Sequence, residues 1–347
     1  MDVAVNTESD ASGDGDVDVS LDASADGGCK WRKEFEVLPS EVFPEDSYSS
    51  LFDIWGSSSS DVYAVGNCHS GPIDEGYSCI FHYDGDSWTE MEYLELHVGG
   101  VGSIWGSSKD NIFAAGGDVG NFITRYDGNE WSIIYEPQMS PRDLWGNSAS
   151  DMFVVGNVST GIPGTPQYGI VLHYDGNEWS NIYREKDTSL NGVWSSSDSG
   201  VYVIVRFSKE DSAHCKIIRY DGQDWKEVKA GTNDRITDIW GSSATAVFIL
   251  ILKYDSSSEF INSSIWHYDR KSWSEMETNI PEELRDIRGS SSNDVYAVGK
   301  DAIYHYDGDS WSKMEMDEPW DLWAVWAPDK DEAFAVGGPW VLHYSCE

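Results

Sequence analysis

The amino-acid sequence predicts an all-β fold, a seven-bladed β-propeller built from four-stranded antiparallel blades. The first observation is a unit that recurs seven times along the 347 residues, with the elements Ile-Trp-Gly-Ser-Ser, Asp-Val-Tyr-Ala-Val-Gly, His-Tyr-Asp-Gly and Trp. The second is the set of turn signals inside each unit, which divide it into four short strands. The third is that the last unit stops early, and the N-terminus supplies its missing strand.

The copies align on one column of large residues in the first strand of each unit. Its spacing runs from 38 residues, between Arg288 and Trp326, to 50 residues, between Trp55 and Trp105. Repeats of this length are typical of propeller blades. The full column is Trp55, Trp105, Trp145, Trp194, Trp240, Arg288 and Trp326.

The first unit shows the four strands, which we call a to d. Strand a covers residues 51–55, and a Ser-rich turn leads to strand b at 62–66, whose alternating pattern suits a half-buried strand. Strand c ends at Tyr83, Asp84-Gly85 forms the turn because these residues tolerate positive φ, and strand d begins at Trp88.

Closure of the ring is predicted from the two ends of the chain. The seventh unit stops just after Tyr344 and lacks strand d, whereas the segment after Trp31 resembles that strand. An N-terminal strand in the last blade would remove the exposed sheet edges. Cys29 and Cys346 then face each other across the gap, so we predict a disulfide that contributes roughly 5 kcal/mol in the chain-entropy model.

Three cysteines remain. Cys68 and Cys79 flank the b–c loop of the first unit and are predicted to bond, which leaves Cys215 free. Two disulfides favour an oxidising, extracytoplasmic compartment, and five reduced cysteines in a cytosolic chain are the alternative.

Composition divides the chain into two parts. Residues 1–28 contain eight Asp or Glu and no Lys, Arg or aromatic residue, so we expect a disordered acidic tail or tether, followed by the propeller at 29–347. The tail lacks the pattern of a signal peptide, so an exported chain would be a mature or trimmed form. No apolar run is long enough to span a membrane. The net charge of −38 argues against nucleic acid as a partner, and we expect a monomer.

Two polar columns are interpreted as structural. Five histidines precede the strand-c tyrosine of their own units, so they are spread around the ring and are expected to bond within each blade: His82, His173, His267, His305 and His343. A second column follows the Ser-rich turn and is expected to bond the backbone of that turn: Asp61, Asn111, Asp151, Asp294 and Glu332.

A third polar column precedes the Ile of strand a. It is acidic in four units, at Asp53, Asp143, Asp238 and Asp286. Since strand a lines the central channel of a propeller, these carboxylates would gather at its mouth and could hold a cation such as calcium, although no cofactor is required. The alternative is that each Asp caps a neighbouring loop.

The face that carries the b–c and d–a loops is the predicted binding surface. These loops vary in length, whereas the a–b and c–d turns on the opposite face repeat with little change. The candidate ligand-binding residues near the variable loops are Tyr77, His97, Tyr168, His214 and Trp320.

The repeated elements resemble the tandem propeller repeats of exported bacterial proteins, many of them lipoproteins and mostly uncharacterised. The resemblance covers residues 29–346 and implies no catalytic residues. Common hydrolase, phosphate-loop and zinc-protease motifs are absent. We therefore expect a non-catalytic extracytoplasmic module that binds a glycan or a protein. The alternative is an extracellular polysaccharide hydrolase or lyase with a carboxylate pair at the channel mouth.

Overall fold

The computed structural model confirms a seven-bladed β-propeller. It describes residues 28–37, 49–69, 76–91, 99–117, 120–159, 165–207, 215–229, 234–255 and 257–346. These residues form 28 strands in seven separate four-stranded antiparallel sheets. The innermost strands of consecutive sheets contact one another around a closed ring. Nearly all of the predicted acidic tail lies outside the described residues.

Each blade runs from strand a at the channel to strand d at the periphery. The first three blades are β2 (Ser50–Ser58), β3 (Asp61–His69), β4 (Gly76–Tyr83) and β5 (Trp88–Glu90); β6 (Val101–Ser108), β7 (Asn111–Gly116), β8 (Phe122–Tyr126) and β9 (Trp131–Tyr135); and β10 (Ser140–Ser148), β11 (Asp151–Val158), β12 (Tyr168–Tyr174) and β13 (Trp179–Lys186).

The next three blades have the same order. They are β14 (Thr188–Ser196), β15 (Gly200–Phe207), β16 (Cys215–Tyr220) and β17 (Trp225–Lys229); β18 (Arg235–Ser243), β19 (Ala246–Tyr254), β20 (Phe260–Tyr268) and β21 (Trp273–Glu275); and β22 (Leu284–Ser291), β23 (Asp294–Gly299), β24 (Ala302–Tyr306) and β25 (Trp311–Lys313).

The seventh blade joins both ends of the chain, as the sequence predicts. It contains β26 (Ala324–Asp329), β27 (Glu332–Gly337), β28 (Trp340–Ser345) and, as its outer strand, β1 (Lys30–Glu36). Trp31 pairs with Tyr344, and their rings lie 5.5 Å apart. The same Tyr and Trp columns stack in other blades, as Tyr83 and Trp88 do at 5.3 Å. The N-terminal strand therefore reproduces the contacts of an ordinary strand d.

Both predicted disulfides are present. Cys29 is bonded to Cys346 and ties the chain ends together beside the shared blade. Cys68 is bonded to Cys79, and both are buried. Cys215 is a buried free cysteine. Two such bonds are typical of an oxidising environment. Within the described part of the chain, no helix is long and apolar enough to cross a bilayer.

The ring core depends on contacts between large and small residues of neighbouring inner strands. The indole of Trp55 covers Gly106 of the next blade so closely that an added Cβ would lie 2.5 Å from it. Trp326 of blade 7 covers Gly56 of blade 1 in the same way, and a Cβ added to Gly56 would lie 2.6 Å from the indole. Because real Cβ atoms do not approach so closely, glycine is needed at these two positions for the blades to pack.

Turns between strands c and d have the predicted chemistry. In blade 1, a carboxylate oxygen of Asp84 accepts hydrogen bonds from the backbone N–H groups of Asp86 and Ser87, and Gly85 has a φ of 94°. Blade 5 has Arg270 at the glycine position, with a φ of 74°. Repetition of one turn type keeps this face of the ring regular.

Candidate functional site

The four acidic side chains of the third polar column join neighbouring blades. Asp53 accepts a hydrogen bond from the backbone N–H of Ile104 in blade 2 at 2.8 Å. Asp143 accepts one from Val193 in blade 4 at 2.8 Å. Blades 5 and 6 repeat this contact, since Asp238 and Asp286 accept from the N–H groups of Ile287 and Val325.

These carboxylates therefore bond to strands of the next blade, which differs from the loop-capping alternative. Asp53 and Asp143 also accept from the N–H of the residue that follows each of them, so both of their oxygens are engaged. Among the described residues, no group of three His, Cys, Asp or Glu side chains is arranged to hold a metal ion. A calcium ion at this column stays a prediction.

Arg288 brings a positive charge into this acidic ring. Its Nη1 lies 2.7 Å from Asp238 and 3.4 Å from Asp286, and its guanidinium carbon lies 5.6 Å from the ring centre of Trp145 in blade 3. Arg288 takes the place of the tryptophan that every other blade carries in this column. The negative surroundings raise the pKa of Arg288, although burial opposes this, so the side chain stays charged.

Burial makes ionisation of the acidic ring costly. It raises the pKa of Asp53 to about 6 and that of Asp143 to about 7, although Arg288 opposes both changes. Burial also raises the pKa of Asp286. One arginine thus faces four carboxylates in a partly desolvated channel. Some of these carboxyl groups therefore keep their protons near neutral pH.

We expect Asp143→Asn to change how stability depends on pH. The native carboxyl holds its proton up to about pH 7, whereas the ordinary value is 3.8, so wild-type stability falls as the pH rises between these values. An asparagine side chain cannot ionise and removes this loss, which amounts to as much as about 4 kcal/mol. Urea unfolding of both proteins at pH 4 and pH 8 checks this. An equal stability difference at both pH values contradicts it.

A cavity of about 150 Å³ lies beside this ring, in the half of the channel nearer the a–b turns. Asp53, Asp143 and Arg288 provide its polar lining. Gly289 and Ala327 line the end of the cavity that is nearer the a–b turns. Five indoles provide most of the remaining wall: Trp55, Trp105, Trp145, Trp240 and Trp326.

Four histidines of the strand-c column bond a carboxylate of their own blade, as expected, whereas His267 lies against the ring of Phe248. His82 lies 2.8 Å from a carboxylate oxygen of Asp61, and its ring stacks on Tyr63 at 4.4 Å. The second oxygen of Asp61 accepts from the hydroxyl of Ser57. The expectation that Asp61 bonds the turn backbone is thus corrected, since its partners are side chains. Asp151, Asp294 and Glu332 bond the histidines of their blades in the same way.

A ring of β-bulges was not predicted from the sequence. The pairing of strands a and b shifts just before the third polar column in six blades. A bulge re-aims the extra side chain. We call these positions and their equivalent in blade 7 the rim: Phe52, Gly102, Arg142, Asn191, Thr237, Arg285 and Trp323. Because they precede the acidic column on strand a, they lie toward the b–c and d–a loops.

The rim contains an exposed tryptophan that packs against a largely buried arginine. Trp323 is 44% exposed, and the guanidinium carbon of Arg285 lies 4.1 Å from the centre of one of its rings. A carboxylate oxygen of Asp321 lies 2.7 Å from Nη1 of Arg285. The ring of Phe52 packs edge-on against that of Trp323, with 6.4 Å between the ring centres. In the sequence, the rim position carries a different type of residue in most blades, whereas the next position is acidic in four of them. This variation was the signal that could have revealed the rim.

The structure places three of the predicted ligand-binding residues. Tyr77 is 37% exposed, and Tyr168 is half-buried, with the guanidinium carbon of Arg184 4.0 Å from its ring centre. Trp320 is only 8% exposed, because its ring packs against that of Trp340, with 5.0 Å between the ring centres. His97 and His214 lie outside the described residues. Tyr77 and Tyr168 belong to blades 1 and 3, and Trp320 lies on the approach to blade 7, so these residues come from three different places around the ring.

Comparisons with known proteins show the fold and no family. No protein-family model matches this chain, and no curated protein is similar to it in sequence. YCF48 bound to a D1 peptide is 14% identical, with a TM-score of 0.63 over 91% of this chain and 97% of that one.

Two further solved structures are similar in fold to this chain. The GH74 xyloglucanase of Xanthomonas campestris is 12% identical, with a TM-score of 0.57 over 90% of this chain and 53% of that one. Chaetomium thermophilum Sqt1 bound to the N-terminus of ribosomal protein L10 is 12% identical, with a TM-score of 0.56 over 87% of this chain and 100% of that one. At these identities the likeness concerns the fold alone.

Proposed function

We propose that this protein is a non-catalytic, extracytoplasmic recognition module that binds a protein segment or a glycan on the face of the b–c and d–a loops. The observation that carries the proposal is the exposed Trp323 held beside Arg285 at the rim. Tryptophan and arginine are among the residues most enriched at binding hot spots. Two disulfides support a location outside the cytoplasm.

A protein segment is favoured over a glycan by the charges of the rim. Arg142 and Arg285 both lie there, although the chain has only 23 Lys and Arg against 61 Asp and Glu. Arg142 is exposed, whereas Arg285 is already paired with Asp321. Arginine pairs with carboxylates in two-pronged geometry, so an acidic side chain or a chain terminus would suit Arg142. The propellers YCF48 and Sqt1, described as bound to a peptide and to a protein N-terminus, use the same fold for such partners.

Binding is favoured over hydrolysis by the state of the channel carboxylates. Each of the four accepts a hydrogen bond from the backbone of the next blade. A glycosidase acid or nucleophile must instead be free to contact the glycosidic bond. The acidic column therefore serves as a link between blades.

We expect Trp323→Ala and Arg285→Ala to weaken binding by about thirtyfold or more, as truncation of a hot spot does. The measurement is a titration of the best hits from a peptide array and a glycan array. Ser58→Ala and Ser108→Ala are the controls, because both serines are exposed on the opposite face. Equal loss from both sets would place the binding surface elsewhere. Glycan hits alone would identify the glycan as the ligand.

A further inference from the structure

We propose that the tryptophan-walled cavity in the channel binds a small organic ammonium ion, of the size and chemistry of tetramethylammonium or a trimethylated lysine head group. This site is separate from the rim, because it lies on the side of the acidic column that faces the a–b turns. It goes beyond the proposed recognition function and does not depend on it.

The walls of the cavity fit a weakly hydrated cation. Indoles of five blades surround it, and an indole face attracts cations more strongly than any other side-chain ring. The protein already places one cation against this wall, since the guanidinium of Arg288 lies 5.6 Å from the ring centre of Trp145. The space of about 150 Å³ that remains beside Arg288 matches a cavity known to hold a benzene-sized molecule.

The charges of the cavity favour a cation over an anion. Asp53 and Asp143 lie in its wall, whereas the ion pairs of Arg288 form with Asp238 and Asp286 instead. Asp53 and Asp143 thus have no cationic side chain bonded to them among the described residues. A bound ammonium ion would add a positive charge beside these two carboxylates, which share the field of Arg288 with Asp238 and Asp286.

An organic ammonium ion fits better than a metal ion. Calcium requires six to eight oxygen ligands, whereas the oxygens of Asp53 and Asp143 are directed at backbone N–H groups. An alkylammonium ion needs only the long-range field of the carboxylates and contact with the rings. The predicted calcium ion is therefore the competing occupant in the experiment.

The experiment titrates the whole chain with tetramethylammonium chloride and follows tryptophan fluorescence and heat, with sodium chloride at equal ionic strength as the blank. We expect saturable binding at pH 8. We expect affinity to weaken by about tenfold or more at pH 5, because Asp53 and Asp143 gain protons while Arg288 stays charged. Asp238 and Asp286, which pair with Arg288, are the other charged groups that face this space.

Matched variants locate the site. Asp143→Asn and Asp53→Asn keep one of the two hydrogen-bond acceptors and remove the charge, so each should weaken binding by about tenfold. Asp175→Asn makes the same change in an exposed c–d turn of blade 3 and should leave affinity unchanged. If one channel variant fails to fold, the other variant and the pH dependence of binding to the wild-type protein still test the proposal.

Two ligand sources are distinguished by a further titration with a peptide that carries trimethyllysine. Tighter binding of the peptide identifies a protein side chain, and equal binding identifies a free ion. The proposal is overturned if neither ligand binds at about 100 mM, far above the millimolar range of weak specific complexes. It is also overturned if both channel variants bind as wild type does, or if calcium binds in the channel and tetramethylammonium does not.

Discussion

Arg288→Met should destabilise the protein by about 3–5 kcal/mol at pH 8, the usual cost of leaving buried charges without their partner. Arg288 is the only cationic side chain in the described part of the chain that pairs with Asp238 and Asp286, both 7% exposed. Methionine keeps most of the side-chain length against Trp145, so the change removes chiefly the charge. Urea unfolding followed by tryptophan fluorescence measures the loss.

The loss should shrink at pH 5. Without Arg288, the channel carboxylates hold protons more tightly, and neutral carboxyls no longer repel one another. Arg206→Met is the matched control, because Arg206 is exposed on β15 and should change stability by no more than about 0.5 kcal/mol. Adding Asp286→Asn to Arg288→Met should restore part of the stability. An identical loss at both pH values would show that packing, rather than charge, explains the effect.

Removing the closing disulfide should have a still larger effect. Cys29→Ser with Cys346→Ser opens a loop of 317 residues, and the chain-entropy model gives a cost of roughly 5–6 kcal/mol. The outer strand β1 should then separate from β28 before the rest of the ring unfolds, because strand pairing and the packing of Trp31 and Phe35 hold it without a covalent link. Hydrogen exchange of residues 30–36, compared with that of β24, measures this order of opening.

The other disulfide is the natural control for chain closure. Cys68 and Cys79 are 11 residues apart, so removing this pair should cost about 3 kcal/mol in the same model. It should leave exchange in β1 unchanged, since blade 1 holds both cysteines. If the two double variants are equally stable, loop length does not govern the contribution of either bond.

Short-range patterns explain why the fold was predictable. The strand order of a blade follows from alternating residues and from turns such as Asp84-Gly85, which depend on neighbours in sequence. Closure was predictable because the missing strand d and the Trp31 segment match the same repeat. The Cys29–Cys346 bond then followed from that alignment, the Cys68–Cys79 bond was predicted from the loop that these cysteines flank, and the structure contains both.

The exposure of the candidate binding residues depends on contacts that the sequence does not show. Trp320 was chosen as a binding residue, yet Trp340 packs against it and leaves it 8% exposed. Trp323, three residues later, is the exposed one. Periodicity cannot separate the two, since both lie in the d–a connection that precedes β26, where no strand alternation applies.

The sequence by itself determined the number of blades, the strand that closes the ring and the disulfide beside that strand, since a repeated unit fixes each of these by alignment. Only the tertiary structure decided what the acidic column does. Asp53 and its hydrogen-bond partner Ile104 are 51 residues apart and belong to different blades. Their contact exists because curvature brings inner strands together at the channel, while the bulge beside Asp53 turns Phe52 toward the rim.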